Sequence, residues 1–151
     1  MMEAQIKPAP PEMGVINDRD LKLRLLLRVL TDPELNLQRQ AESDPWTYRD
    51  KDFTVKLYKD PKALNRAFNE WIPGAAKARG LDLKLVESYL ESLRKVGVGS
   101  PGGFYDREGK VIHSPYDRDV LQHELEHHFY PEEQHPLFED IEEYRKRRKK
   151  R

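Results

Sequence analysis

GGFYDREGKVIHSPYDRDVLQHELEHHFYP, residues 102–131, holds the patterns from which the fold can be read. Asp106-Arg107-Glu108-Gly109 is a glycine-bearing turn between Phe104-Tyr105 and Lys110–His113, which predicts a hairpin over 104–113. Ser114-Pro115 has the form of an N-cap followed by proline at the first helical position, with Asp117 well placed for the helix dipole. The helix is expected over 115–130, because Pro131 restricts the residue before it.

Outward from this unit the chain alternates between helical and extended patterns. Toward the C-terminus, Pro136 opens a short helix with Leu137, Phe138, Ile141 and Tyr144 facing inward. Toward the N-terminus, Val86, Tyr89, Leu90 and Leu93 mark a helix that closes near Gly97. Asp60-Pro61 opens another, with Leu64, Ala67, Phe68 and Trp71 at helical spacing. Pro73-Gly74 is expected to interrupt it before a short helical piece ending at Gly80. Phe53, Val55 and Leu57 alternate with polar residues and predict a strand over 52–58. Residues 31–50 are polar and broken by Pro33 and Pro45, with Trp46 and Tyr48 as anchors. A helix over 18–30 is expected to use Asp18 as its cap and a Leu21, Leu25, Leu26 stripe. Residues 1–17 read as a flexible, proline-bearing N-terminal segment, 18–144 as a single domain and 145–151 as a basic tail.

Composition narrows the classes of function. With 27 Lys and Arg against 27 Asp and Glu among 151 residues, net charge is zero and implies no general attraction to nucleic acid or membrane. The absence of cysteine excludes disulfides and thiolate metal sites. Neither a signal core nor an apolar run of membrane-spanning length is present, so a cytoplasmic protein is expected.

All five histidines fall between His113 and His135. Within the predicted helix, His123-Glu124-Leu125-Glu126-His127 matches H-E-x-x-H. Residues four apart lie on one helical face, one turn above each other, so both imidazoles can reach one Zn2+ ion. Glu124, beside His123, is placed to take a proton from a metal-bound water.

This motif, together with the preceding hairpin GGFYDREGKVIH, resembles the zincin metallopeptidases. The small size and the helix directly after the motif are similar to the compact gluzincins, or minigluzincins. The resemblance covers about residues 99–144 and is specific at His123, Glu124 and His127. It implies an α+β fold, with several helices packed on a small twisted sheet and an active-site helix beneath it. It also implies a zinc-dependent hydrolase whose catalytic base is Glu124 and whose edge strand, within 104–113, holds an extended peptide or protein substrate. In gluzincins a glutamate from the following helix completes the zinc shell; Glu139 is the first choice here, with Glu142 as a rival. Glu133 sits where a metzincin would place its third ligand, although Tyr130 stands where metzincins carry glycine.

The remaining residues have plainer readings. His128, one position off the ligand face, is expected to pack beside Leu125 and Phe129. His113 is expected to be structural, and His135 to serve helix entry. Tyr130 and Tyr144 are more readily core residues than oxyanion donors. LEHHFYP resembles the last histidine box of membrane fatty-acid desaturases, but further boxes and membrane spans are missing. A different class of function remains: a non-catalytic binding or accessory protein of virus or plasmid type, with a structural metal and a basic tail contacting nucleic acid or an acidic partner. Residues 1–17 could also lie in the cleft and keep an enzyme latent.

Overall fold

The computed structural model describes residues 17–97, 102–131 and 136–149. The readings of a flexible segment over 1–17, of Glu133 and of His135 fall outside the described residues, Asn17 apart, as does the end of the basic tail. Two hydrophobic clusters lie on opposite faces of a four-stranded sheet, and each is covered by helices. The architecture is α+β, as the resemblance implied.

In chain order the elements are α1 (Asp18–Leu30), α2 (Pro33–Glu42), β1 (Trp46–Arg49), β2 (Thr54–Tyr58), α3 (Pro61–Ala78) and α4 (Leu83–Lys95). They continue with β3 (Phe104–Asp106), β4 (Val111–Pro115), α5 (Arg118–Phe129) and α6 (Pro136–Lys149). Spatial order is β1-β2-β4-β3, so β3 lies at an edge. The β1/β2 and β3/β4 pairs are antiparallel, whereas β2 and β4 run parallel.

Strand alternation assigns the faces. Val55 pairs with Ile112, which pairs with Tyr105, and these side chains meet α1 and α5 through Leu27, Leu121, Leu125 and Phe129. Lys56 pairs with His113, which pairs with Phe104. That opposite face meets α3, α4 and α6 through Phe68, Val86, Phe138 and Ile141.

Several boundaries differ from the sequence reading. Ser114-Pro115 does not start the site helix: β4 continues through Pro115, and Asp117 accepts from the Val120 N–H to cap α5. Parallel pairing with β2 holds Ser114 and Pro115 in extended conformation and outweighs the local cap signal. Nor do residues 31–50 form a broken loop. Asp32 accepts from the N–H groups of Glu34 and Leu35, and Pro33 is the first residue of α2. Beyond α2, Trp46–Arg49 pairs with β2. Pro73 lies inside an uninterrupted α3. Ile72, Ala75 and Ala76 bury around it, and Asn69, whose carbonyl the proline cannot engage, is exposed to water.

In α1 the cap is Asn17, one residue earlier than expected, accepting from the Asp20 N–H. Its buried stripe is Leu23, Leu26, Leu27 and Leu30, which leaves Leu21 and Leu25 exposed. Leucines populate this helix on all sides, so periodicity alone did not choose the inward face.

Candidate metal centre

Helix α5 lies on the sheet through Leu121, Leu125 and Phe129. Its C-terminal end is held by α1, where Arg19 donates to the Phe129 carbonyl at 3.0 Å and places its guanidinium over the Tyr130 ring. Rotating 100° per residue from that apolar stripe brings Glu124 to the flank, about 100° away, and His123 and His127 together to the far side, about 160° away. His123 is exposed, whereas Glu124 and His127 are buried.

The Nε2 atoms of His123 and His127 are 3.1 Å apart. Two nitrogens each about 2.0 Å from a tetrahedral zinc stand about 3.3 Å apart, so this spacing suits a shared ion. One ligand atom from each of His123, Glu124 and His127 lies within 4.8 Å of the others. Among the described residues this is the group of metal-ligand type, and it can hold a metal ion.

The state of Glu124 supports the fit. It is 3% exposed, and its Oε1 atom has no hydrogen-bond partner among the described residues. Burial pushes its carboxyl up to about 8. A buried carboxylate without a partner is costly unless a positive charge lies close by. His127 is shifted the other way: burial first, and then the neighbouring His123, lower its pKa and favour the neutral imidazole that a metal requires.

Edge strand β3 lies beside this turn. A Cβ on Gly103, immediately before the strand, would stand 2.8 Å from the His113 carbonyl oxygen, 2.9 Å from Val120 Cγ1 and 3.4 Å from Glu124 Cγ. Glycine here is what lets α5 approach the strand.

Of the expected third ligands, the two within the described residues, Glu139 and Glu142, stand outside this group. Glu139 is exposed on α6, and Glu142, on the same helix, pairs with Arg145 at 2.8 Å. Phe138 and Ile141 anchor α6 on the sheet face opposite α5. In this arrangement neither acid completes a metal shell with His123 and His127.

The other histidines have defined partners. Phe104 stacks on His113 with ring centroids 4.1 Å apart, and the His113 Nδ1 is 2.8 Å from the Tyr58 hydroxyl. Burial, then Lys56, brings His113 down to about 4. His128 packs against Phe53 and Phe129, and its Nδ1 lies 2.8 Å from the Tyr105 hydroxyl. The sequence reading missed both tyrosine partners; strand alternation would have placed Tyr105 on the α5 face once the hairpin register was known. Tyr144 bonds Ser88, and Tyr130 packs beside the α1/α5 core.

Among the described residues no helix is long and apolar enough to cross a membrane. No family model, curated protein or solved structure matches the chain. The class defined by fold and site is therefore an α+β protein with a His-Glu-x-x-His candidate metal centre beside a sheet edge.

Proposed function

We propose that this protein is a zinc-dependent metallopeptidase of zincin type that hydrolyses peptide bonds in extended peptide or unfolded protein substrates. The observation that carries the reading is Glu124: a buried carboxyl group, its Oε1 without a hydrogen-bond partner among the described residues, one residue from His123 and with an oxygen within 4.8 Å of a nitrogen of each imidazole. His123 and His127 would hold the ion through Nε2. A bound zinc supplies Lewis acidity toward carbonyl oxygen and water, and its charge favours the ionised form of Glu124.

Ionised Glu124 takes a proton from the attacking water and delivers it to the leaving nitrogen. The buried flank of α5 limits competing solvent around that carboxylate, while exposed His123 leaves the outer side open to substrate. The third protein ligand is assigned to the acids that follow α5: Glu139 first, then Glu142, then Glu133. Use of Glu139 or Glu142 requires α6 to leave the sheet face on which Phe138 and Ile141 seat it.

The test compares cleavage of an unfolded protein by wild type and Glu124→Gln, each with its zinc content measured. The expected result is retained zinc with cleavage reduced by about 100-fold or more. Full cleavage by zinc-loaded Glu124→Gln would remove Glu124 as the base.

A further inference from the structure

Strand β3 is fastened to α5 at two points. The first is Gly103, where the missing side chain leaves room for Val120 and the Glu124 methylenes. The second is Tyr105, whose hydroxyl lies 2.8 Å from Nδ1 of His128. His128 is steadied from its other side by Phe53, ring centroids 4.5 Å apart. The contacts are two residues apart along the strand, and on the helix they run from Val120 and Glu124 at Gly103 to His128 at Tyr105. Two strand residues advance about 6.6 Å, and four helical residues, from Glu124 to His128, about 6 Å. Strand and helix therefore lie side by side across the turn that carries Glu124 and His127.

As the last strand of the sheet, β3 has one backbone edge unpaired with another strand among the described residues. Such an edge accepts an extended peptide by backbone hydrogen bonding. We infer that the Tyr105–His128 hydrogen bond, acting with Gly103, sets the axial register of α5 against β3 and so fixes how far a peptide paired on β3 lies from the Glu124 carboxylate. Tyr105 and His128 are thus positioning residues. The inference rests on the peptidase reading. It has a distinctive consequence, because His123, Glu124 and His127 share one helix. A slip of α5 moves all three together, which keeps the His123–His127 pair and its spacing while displacing it from the substrate.

The experiment compares full-length wild type with Tyr105→Phe, His128→Leu and His128→Asn; asparagine keeps a polar atom near the Nδ1 position. Four quantities are read: zinc affinity, kcat and KM on one extended peptide, and the nuclear Overhauser effect between Val120 methyls and Gly103 Hα. Tyr105→Phe and His128→Leu are expected to keep zinc affinity and KM, weaken the Overhauser effect and lower kcat by about 10- to 100-fold. His128→Asn is expected to restore both. The inference is overturned if folded Tyr105→Phe keeps wild-type kcat, if the Overhauser effect is unchanged, or if His128→Asn performs no better than His128→Leu. Should Tyr105→Phe fail to fold, the two His128 variants decide the matter. A wild type that neither binds zinc nor cleaves peptide refutes the peptidase reading instead, and the Overhauser effect still decides the register.

Discussion

His123 Nε2 and His127 Nε2 approach to 3.1 Å on successive turns of α5, one exposed and the other buried. Each imidazole needs the other in place for a single ion to be shared. Zinc at about 100 times its dissociation constant should stabilise wild type by about 2.7 kcal/mol. In His127→Ala that stabilisation should vanish, as measured by thermal unfolding with and without zinc. An undiminished zinc-induced rise in Tm in that variant would place the ion elsewhere.

Glu124 should weaken the zinc-free protein. Its carboxyl titrates at about 8 when folded, against 4.5 ordinarily. Between these values the unfolded chain releases a proton that the folded chain keeps, so stability falls as pH rises across the window. Glu124→Gln removes that penalty and should stabilise the zinc-free protein at pH 8 by roughly 3 to 5 kcal/mol. Chemical denaturation at pH 5 and pH 8 checks this. Equal stabilities of variant and wild type at pH 8 would contradict it.

His113 gives a pH dependence of opposite sign. Folded, it titrates at about 4 instead of 6.5, so below 6.5 the unfolded chain takes up a proton that the folded chain refuses. Its contribution is intact above 6.5 and is lost as pH falls toward 4, by about 3 kcal/mol in total. The ring should show an NMR titration midpoint near 4, and His113→Gln should flatten the acid limb of the stability profile. A midpoint near 6.5 would be inconsistent with the stacked, buried ring.

Gly103→Ala should destabilise the fold by about 1 to 3 kcal/mol, the usual range for forcing a methyl into a packed site. The obstruction at 2.8 Å is a backbone oxygen, which cannot swing aside as a side-chain tip would. The urea midpoint reads the effect, and an unchanged midpoint would show that β3 and α5 part easily.

Among the acids after α5, Glu139→Ala is expected to lower zinc affinity most, by at least about 100-fold, ahead of Glu142→Ala and Glu133→Ala. A competition titration with a chromophoric chelator ranks the three. If Glu139→Ala binds zinc as wild type does, the ligand set that the resemblance implies is wrong at that position.

Much of this was legible in the sequence because it is local. Four-residue spacing alone puts His123 and His127 on one face, and the Asp106–Gly109 turn marks the β3/β4 hairpin. The misread positions are those where distant partners outweigh local signals. Ser114-Pro115 carries a helix-start pattern, yet parallel pairing with β2 keeps it in a strand. Pro33 reads as a break in a polar stretch, yet Asp32-Pro33 starts a helix in the same way as Asp60-Pro61. The Tyr105–His128 and Tyr58–His113 contacts join residues 23 and 55 apart and depend on sheet register, which no window of sequence contains. The same holds for α6: spacing marks Phe138 and Ile141 as apolar anchors, but the side of the sheet they meet depends on the tertiary arrangement.

The central claim meets its most direct test in the metal itself. Protein purified without chelator should carry one zinc per chain, with X-ray absorption showing imidazole nitrogens at about 2.0 Å. The His123→Ala, His127→Ala double variant should carry none. Absence of zinc from wild type supplied with the ion, or full retention by the double variant, would contradict the account.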